Sequence, residues 1–157
     1  MGRYSERRRA LTALLVVLAA ASVLLTTASA ASAGGSHHKV VLGSKRFAPN
    51  GKGFGTAHPR TIYNGGDLSG LVRKIHWHHW DSKKALATGR NHIFKPHGGY
   101  YPHPVRIRLT ASGLGHCPGS RHRAYRKLHV RVPKKPGGQL GPWRKWAGSK
   151  TICKLSF

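Results

Sequence analysis

The sequence predicts an all-β domain: a small antiparallel β-sandwich of immunoglobulin-like type, or a barrel, carrying one disulfide and preceded by a flexible arm. Three observations predict it. Residues 105–110 (VRIRLT) and 128–132 (LHVRV) alternate apolar and polar side chains without a break, the mark of a half-buried strand. No window after residue 33 offers apolar residues at i, i+3, i+4 and i+7 over ten residues, so no amphipathic helix is expected. Twenty glycines and nine prolines punctuate 157 residues, as short strands joined by tight turns require.

The elements follow in chain order. Residues 61–63 form a short candidate strand, closed by the turn signal Asn64-Gly65-Gly66-Asp67. Along 71–80, Leu71, Arg73, Ile75, Trp77 and His79 fall on one face of an extended chain, and Val72, Lys74, His76, His78 and Trp80 on the other. That reading makes Trp77 a core anchor and turns Trp80 toward solvent or a ligand. Candidate strands 86–89 and 91–94 follow the Asp81-Ser82-Lys83-Lys84 turn, and 151–155 closes the chain. The strand at 128–132 ends at Pro133, which cannot donate to a ladder.

The first 33 residues read as a separate signal. Residues 1–9 carry four arginines and one acid, 10–25 are apolar apart from Thr12 and Ser22, and Ala-x-Ala sites follow at 28–30 and 31–33. A basic head, an apolar stretch and a small-residue cleavage site describe a Sec-type secretory signal peptide. No cysteine near the cleavage region permits a lipid anchor, so a secreted, extracellular and even wall-associated protein is expected. Residues 34–59 are rich in Gly, Ser, Lys and His and predict a flexible basic arm. The β domain is then expected over 60–157. In an exported chain, the pair Cys117 and Cys153 reads as a disulfide.

From residue 34 onward the chain carries 24 lysines and arginines against Asp67 and Asp81, a formal net charge of +22 with histidines neutral. Such a balance leaves few buried ion pairs and draws polyanions.

The stretches Gly66-Asp67-Leu68-Ser69-Gly70, Ile75-His76-Trp77-His78-His79-Trp80 and Ala85-x-Ala87-Thr88-Gly89 resemble a group of small secreted actinobacterial proteins of unknown function. Those share a G-D turn, an L-x-W-x-x-W strand and an A-x-G strand. Residues 101–109 and 125–130 look like the group's later P-V-x-V-x-L and Y-x-x-L-x-V strands. This chain lacks the cysteine-bearing turn expected before Tyr100 and carries Lys, Arg and His where the group has other polar residues. The resemblance implies a secreted β domain and transfers no catalytic residue.

For function, the basic clusters weigh most. Lys74, Arg106, Arg108, Arg121, Arg123, Arg126, Lys127, Arg131, Arg144 and Lys145, with Trp80 for stacking, are the candidate polyanion contacts. The expected partners are an anionic wall polymer, an anionic lipid surface or extracellular nucleic acid. A histidine-rich zinc or copper site is the alternative, with His76 and His78 on one strand face and His92, or else His97 or His103, as third ligand. A membrane-active, antimicrobial role is a further alternative, since Trp and cationic side chains partition to interfaces. No cofactor and no enzymatic activity are expected: the two aspartates sit in separate turns, and no nucleophile elbow or phosphate-binding glycine loop occurs.

Overall fold

In a computed structural model of the chain, residues 39–154 are described; residues 1–33, expected to be a signal peptide, lie outside them. Seven strands appear in order: β1 (Val41–Leu42), β2 (Ile62–Tyr63), β3 (Leu71–His78), β4 (Lys84–Asn91), β5 (Val105–His116), β6 (Arg123–Arg131) and β7 (Arg144–Lys145). They build one sheet in the order β1-β6-β5-β4-β3-β2, with β7 pairing β6. The sheet is a curled, open half-barrel, and no α-helix occurs among the described residues.

β3 to β6 are a meander of antiparallel neighbours. β5 sets its face by alternation: Val105, Ile107, Leu109 and Ala111 are buried and Arg106 and Arg108 exposed, with Thr110 the exception, buried and donating its hydroxyl to Ala85 O. β4 follows suit with Ala85, Ala87, Gly89 and Asn91 inside. The candidate 86–89 thus extends to Lys84–Asn91 through Arg90, while of the candidate 91–94 only Asn91 joins the strand and Phe94 makes an isolated bridge to Tyr100.

In β3 the alternation is interrupted. Pairing with β4 shifts between Arg73 and His76, so Lys74 and Ile75 together oppose Gly89, a β-bulge. One extra residue reverses the faces before it, so Val72 is fully buried together with Ile75 and does not join Lys74 outside. Gly89 makes this possible: a Cβ there would lie 2.7 Å from Val72 Cγ1 and 3.4 Å from Ile75 Cγ1.

The expected flexible arm is corrected from residue 39 onward. β1 pairs in parallel with β6, Val41 opposite Ala124 and Leu42 opposite Tyr125. Leu42 also exchanges backbone hydrogen bonds with Thr56 and Gly55, at 2.9 and 2.7 Å. Val40, Leu42, Phe47 and Phe54 are buried, with the two phenylalanine rings edge-on at 4.8 Å. Fully burying a side chain such as Leu42 or Phe47 contributes roughly 1.5–3 kcal/mol. A few apolar residues thus dock a segment whose average composition is polar.

Trp80 is corrected as well. It packs inward against Trp77, Tyr125 and His58 at ring separations of 4.8, 5.0 and 4.6 Å, and its indole N–H donates to Val40 O at 3.3 Å. Trp77 is half-buried and donates to Pro59 O at 3.0 Å. Tyr125 is fully buried, and its hydroxyl donates to Ser82 O at 2.8 Å. Burial, then the negative charge of Asp81, push its phenol above the usual tyrosine range.

Cys117 and Cys153 are bridged, with Cα atoms 5.2 Å apart across 36 residues. The bridge sits in a satellite cluster with Val41 and Ala124, clamping the end of β5 to the C-terminal segment. That segment is held to β6 by Ile152 N donating to Arg126 O at 2.8 Å, and it is a bend where a strand was expected.

Candidate functional site

Cross-strand register converts scattered basic residues into rows on the outer face of the sheet. In the first row Arg73 of β3 is opposite Arg90 of β4, which is opposite Arg106 of β5. All three side chains are exposed. The second row runs His76, Thr88, Arg108 and Arg131. A third runs His78, Leu86, Thr110, His129 and Lys145, and a fourth Lys84, Ser112 and Lys127. Residues directly opposite on one face stand about 4.5–5.5 Å apart at Cβ. The face therefore gathers eight lysines and arginines with three histidines.

The two carboxylates of the described residues are placed elsewhere. Asp67 caps the short 3₁₀ turn Leu68–Gly70. Its Oδ1 accepts from the Ser69 hydroxyl at 2.6 Å and the Ser69 amide at 2.9 Å. The Ser69 hydroxyl first, and the amide with it, hold its carboxyl below the usual range against the opposing effect of burial. Asp81 lies in the turn between β3 and β4, at a left-handed φ of 67°. Neither aspartate is opposite a member of the rows.

One arginine of the face is rigidly set. Arg131 Nε donates to Gly141 O at 2.6 Å and Nη2 to Leu140 O at 3.2 Å, and its guanidinium stands 5.6 Å from the centre of the Trp143 ring. Arg131 and Trp143, the latter 43% exposed, line a shallow groove of about 510 Å³ together with His78, Thr88 and Arg108.

Of the residues expected from sequence, Arg106, Arg108, Lys127, Arg131 and Lys145 share this face, and Lys74 sits in the bulge at its edge. Arg121, Arg123 and Arg126 are exposed at the far end of the β5–β6 ribbon, where Arg126 Nε donates to Gly113 O at 3.0 Å. Arg144 is opposite Val130 and so projects from the other side of β7 than Lys145. Trp80 is turned inward and leaves Trp143 as the exposed ring. Sequence reasoning missed Arg90 altogether. The signal was the alternation Lys84, Leu86, Thr88, Arg90, legible only once 84–91 is read as a single strand.

The expected metal set is not brought together. His76 and His78 do share the outer face, but Thr88, opposite His76, precedes His92 by four residues, roughly 13 Å along an extended strand. His92 instead places Nδ1 3.3 Å from Tyr101 O, beyond the end of β4. Among the described residues no three His, Cys, Asp or Glu side chains are grouped to hold a metal ion.

Comparison with known proteins returns no match: no family model fits any part of the chain, and no curated protein or solved structure is significantly similar to it.

Proposed function

We propose that this is a secreted protein that associates with extracellular polyanions, and that its contact surface is the outer face of the sheet. The observation that carries the reading is the row Arg73–Arg90–Arg106, three guanidiniums in direct cross-strand opposition with no carboxylate in register. Like charges directly opposite one another destabilise a sheet. A surface needs only mixed charges and a modest net charge to stay soluble, so solubility does not account for such a row. Bound phosphate groups relieve the repulsion, and release of their counterions drives association.

An anionic wall polymer, an anionic lipid surface and extracellular nucleic acid all present the required charge. The inward turn of Trp80 removes one stacking platform and shifts the balance toward backbone phosphates over exposed bases. The disulfide fits an oxidising compartment. The secretory reading of residues 1–33 and the resemblance to small secreted actinobacterial β proteins support the same setting.

Binding of the purified protein to wall phosphate polymer, duplex DNA, anionic vesicles and heparin across a salt series tests the proposal. Affinity is expected to fall steeply with salt, with a log–log slope of about 0.7–0.9 per phosphate neutralised on nucleic acid. Absence of binding at low salt overturns the reading, and a salt-insensitive interaction does so equally.

A further inference from the structure

We infer that the cleft beside the β3 bulge is a discrete site for a phosphate ester of a small polyol or sugar, its phosphate held between Arg73 and Arg90. The inference deepens the polyanion reading and rests on it in that both use these two arginines.

The cleft has a volume of about 560 Å³. That lies within the roughly 300–1,000 Å³ of small-ligand sites and leaves room for an organic group beyond a bare phosphate. Its basic lining comes from three places in the chain: Arg73 and Lys74 of β3, Arg90 of β4 with His92 just beyond it, and His103 before β5. No acidic side chain lines it. Because Arg73 and Arg90 are direct cross-strand partners, one tetrahedral anion between them receives N–H groups from both forks. Arg90 is held in place by Nη1 donating to Pro104 O at 3.4 Å, which leaves most of its five N–H groups for a ligand. The planar carboxylate has two oxygens, which a single guanidinium fork satisfies. Two forks and an ammonium instead match the three terminal oxygens and near-double charge of a phosphate monoester. Leu68, 46% exposed, together with Leu71 and Pro104 provides an apolar wall for the carbon part of the ester.

Lys74 is the second observation. It adopts a left-handed φ of 52°, disfavoured for any residue with a Cβ, at a bulge position where glycine is free of that strain. Strain of this kind collects at ligand sites. Here it sets an ammonium at the rim of the cleft, on the strand that also carries Arg73.

The test is calorimetric titration of the purified protein with glycerol 3-phosphate at constant ionic strength in chloride, repeated with glycerophosphoglycerol. Saturable binding of one equivalent of either ester is expected. The monoester binding more tightly assigns the site to a chain-end or free phosphate, and the diester binding equally well assigns it to phosphates within a chain. Arg73→Gln and Arg90→Gln are each expected to weaken binding by about tenfold or more, as loss of a charge-assisted pair does. Lys74→Gly is expected to weaken it without lowering the thermal midpoint, which separates ligand loss from misfolding. Arg108→Gln and Arg131→Gln, on the same face but outside the cleft, are expected to change it by less than about twofold while reducing polymer binding. Non-saturating heats overturn the inference, as does equal weakening by all four arginine variants. Polymer binding that survives without ester binding sinks the cleft alone; loss of both sinks the polyanion reading with it.

Discussion

Arg90→Gln gives the sharpest prediction, because one substitution should move stability and binding in opposite directions. Arg90 is the middle of a three-arginine row, so its removal relieves two nearest-neighbour repulsions, with Arg73 and with Arg106. For exposed guanidiniums about 7 Å apart at the dielectric of water, each repulsion is about 0.6 kcal/mol. Their sum, about 1 kcal/mol, is partly offset by losing the 3.4 Å hydrogen bond from Arg90 to Pro104 O. A net gain of about 0.5–1 kcal/mol at low ionic strength corresponds to a rise of roughly 2–5 °C in the thermal midpoint of a domain this size. The gain should fade near 0.5 M salt, where the Debye length falls below the separation of the charges. In parallel, the slope of log affinity for duplex DNA against log salt should shrink by about one phosphate contact. Differential scanning calorimetry at 20 mM and 500 mM salt, with DNA titrations on the same samples, reads both quantities. A midpoint lowered at low salt, or a salt slope that does not change, would falsify the claim that the row is an unrelieved cluster of like charges facing the ligand.

Other consequences follow from the packing. Replacing Cys117 and Cys153 together by serine should destabilise the domain by roughly 3–4 kcal/mol in the chain-entropy picture, read as a lower urea midpoint; an unchanged midpoint would show that the bridge constrains nothing. The raised Tyr125 phenol means that above about pH 10 the unfolded chain ionises there while the folded chain stays protonated. Stability should therefore fall as pH rises past that point, and Tyr125→Phe should flatten this part of the urea-midpoint profile between pH 8 and 11. An identical profile in the variant would remove Tyr125 as the cause. Trp80→Ala should lose about 2–4 kcal/mol through the Trp77, Tyr125 and Val40 contacts yet keep its polyanion affinity per folded molecule. Stable protein with weakened binding would return Trp80 to the ligand.

The β class, the alternation of β5 and the cysteine pair are legible from residue order alone, because strand periodicity and an even cysteine count act locally. The net charge of +22 from residue 34 onward is equally a property of composition. Which cations act together is another matter. Arg73, Arg90 and Arg106 are separated by 16 or more positions and meet only through register, which backbone pairing sets. The single extra residue at Lys74–Ile75 reverses the face of Val72, and nothing short of the pairing with β4 reveals it. Alternation points Trp80 outward, but the chain leaves β3 at His78 and turns through left-handed His79, and strand periodicity ends there. The segment from 39 to 59 likewise looks too polar to fold until β6 offers it an edge and the core accepts Val40, Leu42, Phe47 and Phe54. Sequence by itself determined the periodicity, the crosslink and the charge, each readable over a few residues or as a sum. Tertiary structure decided which side chains face one another, because contacts across a sheet depend on partners far apart in the chain.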